Sequence, residues 1–177
     1  MRIIDPTELY YLAREFKGEI DHIYLHWSAG HYDTKSEHYH INITGDGKIW
    51  LTTDDLTELL SHTWRRNSRA IGVTICCCWD AVAGWGGDVD FGSEPPTEEQ
   101  IEAMAVVVDV LCAALEIPMD YPTVMTHCEA AELDNYGPST TCERWDLWYL
   151  PDYQSDDVKP GGDLIRDKAK WYREHGY

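Results

Sequence analysis

Cations are scarce in this chain. Its 177 residues carry 14 Lys and Arg against 32 Asp and Glu, a formal net charge of -18, and no Lys or Arg occurs between Arg69 and Arg144. Duplex binding depends on cations that neutralise phosphates. The deficit therefore argues against nucleic acid as a partner, and against anionic membrane surfaces for the same reason. The excess carboxylates read as a solvated acidic surface. Long apolar runs are missing as well. The longest, Ala103 to Leu115, is interrupted by Asp109 and falls short of the roughly 18 residues that span a bilayer, so no membrane insertion is expected. The opening MRIIDPTEL has no charged start, apolar stretch or small-residue cleavage site of a signal peptide, and a protein that is cytoplasmic as synthesised is expected. There is no CxxC pair, which excludes a four-cysteine zinc knuckle. Cys76, Cys77 and Cys78 are consecutive, and Cys112, Cys128 and Cys142 are scattered. Neighbouring cysteines on an extended segment face opposite ways, so reduced thiols are expected. Internal repeats and low-complexity tracts are absent.

What is present is ordinary for a globular protein: 44% hydrophobic and 26% charged residues. The length fits a single domain over residues 1–177. Asp5-Pro6-Thr7-Glu8 opens a first helix, with Asp5 as cap and Glu8 reaching back to it, and Gly18 stops it. Residues 20–28 alternate as a strand, Ile23, Leu25 and Trp27 against His22, Tyr24 and His26. Residues 38–44 alternate again, Tyr39, Ile41 and Ile43 against His38, His40 and Asn42. Gly45-Asp46-Gly47-Lys48 is a hairpin turn, and 48–51 is the returning strand. One helical turn is expected near Leu56 to Leu60. Ala70 to Cys78 is the most hydrophobic strand and is placed at the centre. Gly84 to Pro96 is a loop. Thr97-Glu98-Glu99-Gln100 is a capping box for a long helix to about Glu116. Thr123 to His127 is a short strand, 129–163 mostly loop, and a last helix covers about 164–173. Interleaved strands and helices with one hairpin define an α/β fold, a central mixed β-sheet flanked by helices.

His26 and His127 each end a strand and precede a loop. Two histidines delivered from different strand ends can converge on one zinc ion, completed by a third protein ligand and water. A single histidine at a strand end is more often a hydrogen-bonded structural residue.

The order of segments resembles the zinc-dependent N-acetylmuramoyl-L-alanine amidases of the peptidoglycan-recognition superfamily, with phage lysis amidases looking closest. The matching segments are Ile23-Tyr24-Leu25-His26-Trp27-Ser28, His38-Tyr39-His40-Ile41-Asn42-Ile43, Gly45-Asp46-Gly47-Lys48-Ile49, and Ser61-His62 with Asn67 and Ala70-Ile71-Gly72-Val73. Pro96-Thr97 with Gln100, Val124-Met125-Thr126-His127 and Glu143-Arg144-Trp145-Asp146-Leu147 complete the series. Together they cover roughly residues 20–148.

The resemblance implies an amidase/peptidoglycan-recognition fold and a zinc hydrolase that cleaves the bond between N-acetylmuramic acid and L-alanine. His26 and His127 would ligate zinc, with Asp146 as third ligand. The spacing from His127 to Asp146 is lengthened by an insert over 132–141, so Cys142 is a rival third ligand. Tyr39 falls on the family's active-site tyrosine, although its alternation with Ile41 and Ile43 also suits a core aromatic. Thr74 stands where many relatives place a glutamate base. Arg144 stands two residues before Asp146, where the phage amidases use a lysine. Arginine is no base, but it can stabilise an oxyanion. Glu143 is a further proton-transfer candidate. His62 and Trp64 are expected to contact substrate, and Trp64, Trp85, Trp145 and Trp148 lie in loops where rings could stack on sugars or cover the core from outside.

A rival in another class is a non-catalytic peptidoglycan-binding module. A third reading is a cysteine peptidase using Cys128 or Cys142. The expected partner is peptidoglycan or a muropeptide, bound by a monomer. The setting is a phage endolysin released through a holin, a secreted antibacterial effector or a muropeptide-recycling enzyme.

Overall fold

The computed structural model describes residues 1–85 and 88–176. Gly86 and Gly87, in the loop read from Gly84 to Pro96, lie outside the described residues. In chain order the elements are β1 (Arg2–Ile3), α1 (Pro6–Arg14), β2 (His22–Trp27), β3 (Ile41–Ile43), β4 (Ile49–Leu51), β5 (Ala70–Ile75), β6 (Val82–Ala83) and β7 (Val89–Asp90). There follow α2 (Glu98–Leu115), β8 (Val124–Thr126), α3 (His127–Leu133), β9 (Tyr149–Asp152), β10 (Asp157–Pro160) and α4 (Gly161–His175). A six-stranded sheet runs β1-β4-β3-β5-β2-β8. β2 is parallel to both β5 and β8, β3 is parallel to β5, and β4 is antiparallel to β1 and β3. The sheet is mixed and flanked by helices, as the interleaved pattern predicts. No helix among the described residues is long and apolar enough to cross a membrane.

The alternation in β2 divides the sheet. Ile23, Leu25 and Trp27 join Ile41, Ile43, Ile71, Val73, Ile75 and Val124 in the main core, against Leu9 and Ala13 of α1, Met104, Val107 and Leu111 of α2 and Ile165 and Ala169 of α4. Tyr24 and Met125 form a separate small cluster with Ala70 and Ala130 of α3. The main helices thus cover one face, and the other face is left for polar side chains.

Caps fix where the helices begin. Asp5 accepts from the Glu8 backbone N–H at 2.8 Å, but the Glu8 carboxylate pairs with Arg2 at 2.6 Å instead of returning to the cap. The expected box is therefore one-sided. Thr97 and Gln100 do form a reciprocal box. The Gln100 amide also donates to the carbonyl oxygens of Ile43 (3.2 Å) and Cys76 (2.7 Å), locking the start of α2 to the ends of β3 and β5. Asp109, the polar interruption in the apolar helix, is buried and pairs with Arg173 of α4.

Several expectations need correction. Residues 38–40 are turn rather than strand, and pairing begins at Ile41, so the parity that put Tyr39 with the core does not reach it. No helix forms at 56–60, where the chain makes bends and turns. β5 stops at Ile75, and the left-handed φ of 66° at Cys78 brings the Cys77 and Cys78 sulfurs to 3.4 Å instead of opposite faces. All six cysteines are free. The stretch 129–163 holds most of α3 and a hairpin, β9–β10. α4 starts at Gly161, where a Cβ would run into the Leu147 carbonyl oxygen.

Replacing Gln100 with Ala leaves the buried Cys76 carbonyl without that donor and removes one half of the capping box. We expect a loss of about 2–3 kcal/mol and a Tm lower by roughly 4–12 °C, measured by thermal denaturation.

Candidate active site

Because β2 and β8 are parallel neighbours, with Leu25 opposite Thr126, their C-terminal ends emerge side by side. His26 stands near the end of β2 on the face away from the main core, and His127 follows β8 directly. His127 does not end a strand but is the first residue of α3, whose capping box joins Thr126 to Glu129. The helix start fixes the backbone under the ring. The two imidazoles lie 4.8 Å apart between centroids. The loop after α3 returns Asp146 to them. One carboxylate oxygen is 3.1 Å from His26 Nδ1 and the other 3.4 Å from His127 Nδ1. The donor atoms of all three residues lie within 4.8 Å of one another. Cys142 is not part of this group among the described residues.

The electrostatics favour metal-ligating forms. Burial pushes the His26 pKa down to about 4, outweighing the raising effect of Asp146, and keeps the ring neutral. Burial opposes ionisation of Asp146, but His127 and His26 together hold its carboxyl below the ordinary carboxylate range. His26 and His127 each face a different oxygen of the same carboxylate, at 3.1 and 3.4 Å, and one donor atom from each of the three residues lies within 4.8 Å of the others, near enough for a single zinc ion to draw them together. Two imidazole nitrogens and a carboxylate oxygen are a suitable zinc donor set, so the residues present fit the ion.

A third residue behind His26 was not found from sequence. His26 Nε2 lies 3.2 Å from the Thr63 hydroxyl, which lies 3.0 Å from His62 Nδ1. With Nδ1 given to a metal ion, His26 would carry its proton on Nε2 and donate it to the Thr63 hydroxyl, which would donate onward to His62 Nδ1. Asn67 holds this loop in place by accepting from the backbone N–H groups of His62 (3.1 Å) and Thr63 (2.7 Å). Gly72 leaves room for the His62 ring, since a Cβ there would stand 2.6 Å from its Cγ. His62, expected at the substrate, is buried and supports Thr63 while also lining the cleft. Burial and the neighbouring histidines push its pKa down to about 2.

The cluster opens on a cleft of about 590 Å³ lined by Tyr39, Trp64, Arg144, His62, His127 and Asp146 among others. Tyr39 turns out of the strand and sets its ring 5.0 Å from that of His26. Burial raises its pKa, with Asp146 adding to the effect, so it remains a phenol and a hydrogen-bond donor. Arg144 is exposed, at φ 51°. Trp64 is exposed at the cleft and meets Tyr136 edge-on at 5.2 Å. Of the other loop tryptophans, Trp145 packs edge-on against Trp27 at 5.4 Å, and Trp85 is exposed. Thr74, opposite His26 in register, is buried and offers no base. Cys128 is buried, and desolvation holds its thiol far above the ordinary range. That state is wrong for a nucleophile.

A two-histidine, one-carboxylate cluster at a sheet edge, open on one side to a cleft, is an arrangement suited to a metal-assisted hydrolase. The chain belongs to the N-acetylmuramoyl-L-alanine amidase family, whose sequence profile matches residues 16–145; Asp146 is the next residue. Similar solved structures include the endolysin N-acetylmuramoyl-L-alanine amidase LysCS from Clostridium intestinale URNW (18% identity, 63% of this chain and 70% of that one, TM-score 0.46). Another is the N-acetylmuramoyl-L-alanine amidase LysC from the same organism (17%, 63% and 72%, 0.46). A third is PGRP-Hd from Alvinella pompejana (18%, 75% and 82%, 0.42). No curated protein matches the chain.

Outer partners that orient a ligating histidine are worth about 10- to 100-fold in metal affinity. Thr63→Val is expected to weaken zinc binding by about that factor in competition with a chelating dye, and Thr63→Ser to retain it.

Proposed function

We propose that His26, His127 and Asp146 hold a zinc ion and that this peptidoglycan amidase acts through it on the bond between the lactyl group of N-acetylmuramic acid and L-alanine. The observation that carries the zinc assignment is the convergence of three donor atoms, each on a separately anchored segment, within 4.8 Å of one another. Bound there, zinc supplies Lewis acidity and a water ionisable near neutral pH. Asp146, rather than Cys142, is our third ligand.

The chain's own residues perform the remaining work. Thr63, by accepting the Nε2 proton of His26, would leave the Nδ1 lone pair for the ion. Tyr39, kept protonated, donates a hydrogen bond to the carbonyl oxygen as negative charge builds on it. Arg144, at the cleft and within electrostatic reach of both His26 and Tyr39, adds positive charge at the same place. Exposed Trp64 offers a ring face for the sugar or the stem. Peptidoglycan degradation of the endolysin type is the setting we favour.

The test is zinc content together with release of L-alanine amino groups from purified peptidoglycan. Wild type and Cys142→Ala should carry near-stoichiometric zinc and be active. His127→Ala and Asp146→Ala should lose both, and chelation should silence the wild type until zinc is restored. A wild type that stays zinc-free and inactive yet binds peptidoglycan is a recognition module instead. Zinc and activity lost in Cys142→Ala but kept in Asp146→Ala would make the thiolate the third ligand.

A further inference from the structure

Carboxylates outnumber cations 32 to 14, so a cation without a carboxylate partner is the exception. Among the described residues, four side chains form no ion pair: Arg14, Lys35, Arg65 and Arg144. Two of those four, Arg65 and Arg144, line the same cleft. The one carboxylate lining it is Asp146, committed to the two histidines. The cleft is therefore locally cationic in a strongly anionic protein.

The two arginines differ in what they can reach. Arg144 acts electrostatically on His26 and Tyr39, at the reacting end. Arg65 acts on Asp134, the residue that ends α3. Asp134 is already taken by Arg66, which binds both of its oxygens, at 2.7 and 2.8 Å. Arg65 makes no side-chain hydrogen bond among the described residues. Its guanidinium lies over the Trp64 ring, 5.0 Å from the centroid, and its backbone is held at φ 62°, a conformation that costs energy for a residue with a side chain. Stacking on a ring fixes the plane of a guanidinium and leaves its N–H edge for a planar anion.

The glycan near the scissile bond is uncharged, and the anionic groups of the substrate are the carboxylates of its peptide stem. We propose that Arg65, stacked on Trp64, binds a free stem carboxylate one residue beyond L-alanine, and so makes the protein select acidic stems over stems amidated at that position. The inference rests on the amidase reading and names the substrate class of that same cleft.

The test uses two synthetic muropeptides, N-acetylmuramoyl-L-alanyl-γ-D-glutamyl-L-alaninamide and its D-isoglutaminyl counterpart, with the zinc-loaded protein; the γ-carboxyl is closed in a peptide bond in both, so only the α-carboxylate differs. The wild type should favour the carboxylate compound by about tenfold in kcat/KM, mostly through KM, a preference that shrinks in high salt. Arg65→Ala should cleave both alike, and Arg65→Lys should keep part of the preference. Arg14→Ala, which removes an unpaired cation far from the cleft, should behave as wild type. Calorimetric binding of both compounds to zinc-stripped protein should show the same ranking. Equal handling of the two by the wild type, or a preference that survives in Arg65→Ala, overturns the proposal. If neither compound is cleaved, the amidase reading fails, and calorimetry alone judges Arg65: equal affinities overturn its role.

Discussion

Two-residue alternation along β2 is the constraint on which the rest of the molecule depends. A strand paired on both sides cannot rotate or slip without sending its apolar side chains to the wrong face. Pairing with β5 and β8 fixes the register of all six residues from His22 to Trp27. Once Ile23 and Leu25 are committed to the helices, Tyr24 and His26 have no choice but the opposite face. The site is therefore placed by the core. The free energy that buries the isoleucines also aims the histidine, at a cost in burial that His26 meets by staying neutral and hydrogen-bonded.

That coupling explains what could be read from the residues alone. The strand around His26, the hairpin turn at 45–48 and the long helix from Thr97 were legible because each carries a local signal: alternation, turn glycines, a capping box. His26 and His127 were legible as strand-edge residues, and their meeting follows from parallel pairing. Tyr39 was assigned by parity to the core or by resemblance to the site. Parity failed because pairing stops at Ile41, and alternation means nothing outside a ladder. The helix α3 was missed although Thr126 and Glu129 spell its cap, because its seven residues are too few to show an apolar period. The β9–β10 hairpin was missed because β10 is exposed along its whole length and carries no hydrophobic pattern.

Thr63 and Arg65 were not legible at all. Their roles come from partners that only folding brings near: Thr63 meets a ring 37 residues earlier in the chain. Arg65 is distinguished by what it lacks, since every nearby carboxylate is otherwise engaged. A residue with no partner is invisible to motif reasoning. It becomes visible only when the ion pairs of its neighbours are known.

The buried Arg166 of α4 extends the site in the other direction. Its guanidinium holds both oxygens of Glu129, the residue whose carboxylate also closes the cap of α3, and donates to the Val124 carbonyl of β8. One side chain from the last helix thus clamps the strand that leads into His127 and the turn that carries it. Removing it would leave Glu129 without its cation and the cap without its anchor. The C-terminal helix is consequently a mechanical part of the reaction centre. A cut before residue 161 that freed this helix would loosen the histidine as well as the core that Ile165 and Ala169 help to fill.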